Sequence, residues 1–238
     1  MNNDLSPVIL AVATAPERRI IERSNITAQG VKVLQTGIGP AQVQSICRDN
    51  WTNRPAGLIS IGTAGGLSHE LSPGQLLLPL QVGTEDGQIF PVSSAWHASI
   101  CQRLAKHNIE TGMITSVSSA VRLPRHKQQL QVSTGAVAVD MESAALAHIA
   151  RHYSIPFLVV RAVADPVDQQ IPYSAMAALT VRGDIRIAGL LGQLLRHPGD
   201  IMGLLRLRAN FHAAGRSLDA CCRVAGEQIS CPDAQPLL

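Results

Sequence analysis

Aromatic side chains are scarce: Phe, Trp and Tyr together make up 3% of the 238 residues. Proteins that hold single-stranded nucleic acid stack its bases on such rings, so the composition argues against that role. Ala, Val, Leu and Ile must build the core instead. Charge is sparse too, at 16% against 46% apolar residues, which argues against disorder and leaves ample material for a core. No apolar run approaches the ~20 residues that span a bilayer. The five cysteines, Cys47, Cys101, Cys221, Cys222 and Cys231, are odd in number and contain no C-x-x-C. Reduced thiols in a cytoplasmic protein fit that pattern best. The opening MNNDLSP has no basic region ahead of its short apolar run, so no secretory signal is expected.

The charge that is present is uneven. The chain carries +3 overall, yet residues 180–223 hold seven Arg against three Asp, leaving −1 elsewhere. The length suits one large domain or a domain with an appendage. VILAVATA (8–15) is an apolar run of strand length. VKVLQTGIGPAQVQSICRDN reads as strand, glycine turn and helix, and AGLISIGTAGGL (56–67) as strand and glycine turn. GQLLLPLQVG reads as a strand, SSAWHASICQRLAKHN as a helix, and ETGMITSVSSAV as a strand. GAVAVDMESAALAHIARHYS reads as strand then helix, and IPFLVVRAVADPVDQQIP as strand then loop. Unbroken apolar strands are buried on both faces. Alternation with helices then predicts an α/β fold around a mostly parallel sheet. From about Ser174 the chain looks helical, with Pro198-Gly199 dividing two helices.

In open α/β sheets the working crevice lies beyond the carboxyl ends of the strands. Four such ends carry unusual residues: Glu17, GTAGG (62–66), Glu142 and Asp165. Each has an ordinary structural reading. Glu17 could be a first-turn acid favoured by the helix dipole, GTAGG a tight turn, and Asp165-Pro166 a turn start. Asp140 reads as the N-cap of the following helix, with Glu142 near its second position.

Together the motifs say more. GIGPAQVQ, ISIGTAGGLSHELSPGQLLLP, AVDMESAALAHIA and IPFLVVRAVADPVDQQ occur in an order and spacing that resembles the nucleoside phosphorylase and nucleosidase superfamily, over roughly residues 8–180. Within it, the methylthioadenosine/S-adenosylhomocysteine nucleosidase branch is similar. Over the whole chain STGAVAVDMESAALA, VRAVADPVD and the Arg/Leu-rich LLRHPGDIMGLLRLRANFHAAGRSL resemble the hopanoid-associated phosphorylase-like proteins of bacteria. The resemblance implies a three-layer sandwich with a mixed, mostly parallel sheet flanked by helices. It implies a catalytic domain over 1–180 and a helical C-terminal extension over 181–238. It implies cleavage of a purine N-glycosidic bond without a cofactor, by a homodimer. Glu17 would activate water, and Asp165 would protonate purine N7. Glu142 would hold the ribose 2′- and 3′-hydroxyls, with Met141 packed on the sugar and Thr63, Ala64, Gly65 and Val121 as further substrate contacts. The hopanoid likeness implies adenosylhopane as substrate, and ribosylhopane or its phosphate as product.

The chemistry is coherent with those residue types. Departure of the base gives the sugar oxocarbenium character, which a carboxylate stabilises while an acid neutralises the leaving group. Differential burial must then keep Asp165 protonated and Glu17 basic. LISI, ahead of the glycine motif, brings no Arg for phosphate, although Arg18 and Arg19 follow Glu17; hydrolysis is the favoured outcome. Three departures imply a more open 5′ pocket: Ala164 in place of the nucleosidases' usual Ser, a short segment between LLLP and SSAWHAS, and small residues in IPYSAMAAL. The alternatives are a methylthioadenosine/S-adenosylhomocysteine nucleosidase, a phosphate-dependent phosphorylase, and an inactive lipid-associated binding protein. Retention of Glu17, Glu142 and Asp165 together favours an enzyme.

His148 and His152 are spaced i, i+4 but lack H-E-x-x-H, so no metal is predicted. No G-x-G-x-x-G is present, so no dinucleotide is inferred. Residues 199–223 read as an amphipathic helix with Arg206, Arg216 and Arg223. Such a helix either touches the inner face of a membrane or packs on protein. Cys221-Cys222 is expected to pack within it. The expected location is therefore cytoplasmic, with peripheral membrane contact through this helix, and the expected partner is an adenine nucleoside rather than nucleic acid.

Overall fold

A computed structural model describes residues 7–24, 26, 31–50, 54–180, 182–184, 186, 192–194 and 196–229. The element order is β1 Val8–Val12, α1 Ala15–Arg23, β2 Val31–Gln35, α2 Pro40–Asn50, β3 Gly57–Gly66, β4 Leu76–Leu77, β5 Gln81–Thr84 and β6 Ile89–Pro91. It continues with α3 Ser94–Arg103, β7 Ile109–Glu110, β8 Ile114–Ser116, α4 Pro124–Thr134, β9 Ala138–Asp140, α5 Ser143–His152, β10 Phe157–Asp165, α6 Tyr173–Ala178 and α7 Asp200–Ala225.

The strands form one sheet in the order β6-β5-β8-β9-β3-β10-β4-β7, with β1 pairing β3 and β2 beyond it. Most pairs are parallel, and β3–β9, β5–β6 and β10–β4 are antiparallel. Two helix layers cover the sheet: α2 packs with α5, and α1 and α3 pack with α7. This is the three-layer, mixed and mostly parallel α/β architecture. β1 and β10 are buried at every position, because both of their faces meet helices.

Two local expectations are corrected, and one helix has no counterpart in the sequence reading. GTAGG is not a turn: β3 runs through it to Gly66, and Gly65 and Gly66 pair with Val139 and Ala138 of β9. GQLLLPLQVG is not one strand. Pro79, which cannot donate to a ladder, lies between β4 and β5, and these pair with different neighbours. The polar stretch Pro124–Thr134, with little apolar periodicity, forms α4.

Helix α7 begins directly after Pro198-Gly199. It divides along its length. Ala214, Leu218, Cys221, Cys222 and Ala225 join the main core, so the two cysteines pack as expected. Gly215 lets α1 approach closely, since a Cβ there would meet Ile20 at 2.9 Å. The first turns instead expose Ile201, Met202 and Leu205. Among the described residues no helix is long and apolar enough to cross a membrane. Cys231 lies outside the described residues.

Candidate active site

The site begins as a break in the sheet. Strand β1 accompanies β3 only as far as the Ala11–Ser60 pair, and β9 joins the same edge at Gly65. Between them the edge of β3 has no strand partner. Glu17 takes that place: its Oε1 accepts hydrogen bonds from Thr63 N at 2.7 Å and Thr63 Oγ1 at 2.9 Å. Its Oε2 accepts from Thr14 N at 3.0 Å and Thr14 Oγ1 at 2.8 Å. The second set is the capping box of α1, in which the N-cap and N3 side chains satisfy each other's backbone donors. The ordinary reading of Glu17 as a first-turn acid therefore holds, and the same carboxylate also reaches Thr63 on β3.

Absence of a side chain at Gly62 makes the next layer possible. A Cβ there would lie 2.6 Å from Arg161 Nη1 and 2.7 Å from Glu17 Oε1. Arg161 stands opposite Gly62 in the β10–β3 register and is fully buried. Its Nη2 meets Asp140 Oδ2 at 2.5 Å, Ser60 Oγ at 2.7 Å and Ser143 Oγ at 2.9 Å. Sequence reasoning missed Arg161 and found no arginine near the glycine motif. The available signal was a lone cation inside the apolar run FLVVRAVAD, because buried charges are almost always paired.

The N-cap expectation for Asp140 is corrected. Glu142 occupies that position, and its side chain makes no capping bond. Asp140 lies two residues earlier, pairs with Arg161 and accepts from the hydroxyls of Ser116 and Ser143. Its two oxygens also receive the first helical N–H, Ser143 N, at 3.3 Å. Glu142 points the other way, where Oε1 accepts from Gly39 N at 3.0 Å. Gly37 and Gly39 adopt φ of 76° and 86°, which side chains disfavour, and this bend aims the amide at Glu142. Burial, with Asp140 adding to it and Arg161 opposing it, pushes the Glu142 carboxyl up to about 8.

Asp165 closes β10 beside Gly65, where a Cβ would lie 3.0 Å from Oδ2. That oxygen accepts from Lys127 Nζ at 2.6 Å, and Lys127 is fully buried. Burial raises the Asp165 carboxyl and the Lys127 ammonium opposes the rise. Lys127 was not foreseen either; it is the buried residue of α4, and nothing in PRHKQQLQVST marks it.

The eight residues singled out in the sequence converge. Thr63, Ala64 and Gly65 lie on β3 between the Glu17 and Asp165 carboxyls, whose contacts at Gly62 and Gly65 are three residues apart, or roughly 10 Å at ~3.3 Å per residue. Met141, beside Glu142, and Val121 pack on one small apolar cluster with Val117 and Val139. A cleft of about 220 Å³ borders Met141, where apolar Phe90, Val117 and Ala145 alternate with polar Gln44, Gln88 and His148. Arg18 turns to solvent and pairs with Glu22 at 2.7 Å, and Arg19 is exposed. His148 and His152 lie on the exposed side of α5.

Residues 11–195 match the Phosphorylase superfamily, and the chain belongs to it. Among solved structures it is similar to 5′-methylthioadenosine/S-adenosylhomocysteine nucleosidase from Neisseria meningitidis in complex with methylthio-immucillin-A. That match has 18% identity and a TM-score of 0.67, and covers 92% of this chain and 99% of the other. The Helicobacter pylori nucleosidase with butyl-thio-DADMe-Immucillin-A gives 15% identity and a TM-score of 0.65 over 92% and 98%. Futalosine hydrolase of Helicobacter pylori strain 26695 gives 18% and 0.61 over 68% and 88%. At these identities the likeness speaks for the fold.

Proposed function

We propose that this protein hydrolyses the N-glycosidic bond of a 5′-substituted adenine nucleoside and releases adenine. The observation that carries the reading is that three buried carboxyls, Glu17, Glu142 and Asp165, lie around the end of β3: Glu17 on Thr63, Asp165 beside Gly65, and Glu142 sharing Arg161 with Glu17. Glu142 accepts the ribose hydroxyls and Met141 backs the sugar. Glu17 orients water and takes its proton. Asp165 delivers a proton to N7, so the electrons of the breaking C–N bond end on a neutral base. Thr63, Ala64, Gly65 and Val121 shape the seat of the purine. Water is favoured over phosphate on charge grounds. Arg161 is already engaged by Asp140, Arg18 and Arg19 face solvent, and Glu17 would repel an anion.

The apolar side chains of the cleft beside Met141 support a hydrocarbon substituent on the 5′ carbon, and with the sequence resemblance they make adenosylhopane the preferred substrate. The second reading, methylthioadenosine, is favoured by the nucleosidase structures solved with its analogues. Incubation with adenosine, methylthioadenosine and adenosylhopane separates the two: fastest adenine release from adenosylhopane is expected. Equal or faster release from methylthioadenosine supports the second reading, and no release from any of them sinks both.

A lipid-linked substrate also gives a role to the exposed start of α7. Ile201, Met202 and Leu205 are 46%, 60% and 54% exposed, and Arg206, Arg208 and Arg216 follow with exposed side chains. Apolar residues that insert and arginines that meet anionic head groups suit a membrane surface. Co-sedimentation with anionic liposomes should be lost in the Ile201→Asn, Met202→Gln, Leu205→Gln triple variant, and undiminished binding would exclude this face.

A further inference from the structure

Lys127 stands where a lysine is doubly disfavoured. It lies in the first turn of α4, behind Leu123 at the N-cap and Pro124, where the helix dipole repels a cation. It is also fully buried, and a buried ammonium is costly unless every N–H is matched. The structure supplies the match. Nζ donates to Asp165 Oδ2 at 2.6 Å, Pro166 O at 2.9 Å, Asp165 O at 3.1 Å and Gln169 O at 3.3 Å. Three of these acceptors are consecutive-turn carbonyls of residues 165–169, so one ammonium ties the turn after β10 into a ring around itself. The turn is braced again from α7, where Asn210 Nδ2 donates to Gln169 Oε1 at 2.6 Å. An apolar residue at 127 would take this donor from the carbonyls of Asp165 and Gln169, while Pro166 O would keep Gln169 N at 3.0 Å.

The ring has a consequence at the carboxyl. Oδ2 is held by Lys127, which leaves Oδ1 as the oxygen available to a ligand. Among the described residues Lys127 is the charged group that bears on Asp165, while Gly65 of β3 and Val139 of β9 lie beside Oδ2.

We propose that Lys127 is a positioning residue for base departure: it pins Asp165 through Oδ2, turns Oδ1 toward the leaving base, and stabilises the carboxylate that remains once the proton is delivered. The inference rests on the proposed role of Asp165 as the acid. The step balances simply. The proton on Oδ1 moves to a ring nitrogen, the C–N bonding pair goes to the base, and the Lys127 hydrogen bond to Oδ2 is kept. Its attraction makes Asp165 a stronger acid, and it also lowers the pH at which the loaded acid is lost.

The test is the pH profile of kcat for adenine release in wild type, Lys127→Met, Lys127→Arg and Asp165→Asn, each checked for folding by circular dichroism. In Lys127→Met the plateau should fall about 10- to 100-fold from misplacement of the carboxyl, and the alkaline limb should move to higher pH, because the charge that favoured the carboxylate is gone. Lys127→Arg keeps the charge, so its limb should stay near that of wild type while its plateau falls. A Lys127→Met limb that does not move, with a rate reduced only in proportion to the folded fraction, overturns the proposal. Should the variant not fold, NMR of the wild-type protein with 15Nζ-labelled lysine decides: the Lys127 Nζ resonance must shift as Asp165 ionises along the alkaline limb, and a resonance that stays put through that pH overturns the proposal. Wild-type turnover in Asp165→Asn would instead sink the acid assignment itself, whatever Lys127 does.

Discussion

The two ends of the cleft solve the problem of buried charge differently. On the proposed sugar side three carboxyls, Glu17, Asp140 and Glu142, share the guanidinium of Arg161. On the proposed base side one carboxyl, Asp165, meets one ammonium, Lys127. The surplus on the sugar side cannot all stay ionised at neutral pH, and Glu142 is the group pushed up to about 8. An excess of negative potential suits a sugar that becomes cationic. A balanced pair suits a group that must give up a proton once per turnover and recover it. Under the proposed function, the charge count at each end, rather than the identity of any one carboxylate, divides the labour.

The comparison breaks most severely at its two reacting carboxyls. Asp165→Asn and Glu17→Gln should each lower adenine release by ~100- to 10,000-fold, the usual worth of a proton-transfer group, while leaving the fold intact. Kinetics on folded variants check this, and a loss in only one of them would mean the two ends do not work as a couple.

Next in size is Asp140→Ala. Removing the partner of a buried guanidinium should cost about 3–5 kcal/mol of stability, well above the ~1 kcal/mol of a lost N-cap. Chemical denaturation measures it. A loss near the smaller figure would return Asp140 to a simple capping role.

Gly62→Ala should act on catalysis more than on stability. The added methyl would press on Arg161 Nη1 and Glu17 Oε1, whose other contacts hold them in place. A fall in kcat of about 10- to 100-fold is expected, with a shift in melting temperature of only a few degrees.

The last effect is a slope rather than a step. Between its ordinary 4.5 and about 8, the Glu142 carboxyl stays protonated in the folded protein and ionises in the unfolded chain. The folded state then binds more protons, and this group's contribution to stability falls as pH rises through that window. Melting temperatures from pH 5 to 8 should decline more steeply in wild type than in Glu142→Gln. Parallel curves would mean that the sugar side holds no surplus.

The fold was legible in the sequence because the strands are continuous apolar runs. Glu17, Glu142 and Asp165, the carboxyls proposed to act, could be picked out because they stand at or near strand ends. What was hidden depends on contacts between distant segments. GTAGG looks like a turn, yet it is a strand whose missing side chains admit Arg161, Glu17 and Asp165. Lys127 sits in a polar stretch that resembles any solvated helix, and only the fold brings it to Asp165. The C-terminal helix posed a choice between membrane and protein packing, but its two halves differ: Leu218 and Cys222 are core, while Met202 and Leu205 are exposed.

The central claim is that water, activated at Glu17, attacks the sugar. Its most direct test is turnover in H2(18)O, with and without phosphate, followed by mass spectrometry of the sugar product. The account predicts adenine plus a free sugar carrying one 18O at its anomeric carbon, at a rate indifferent to phosphate. A phosphate-dependent reaction yielding an unlabelled sugar 1-phosphate would contradict it.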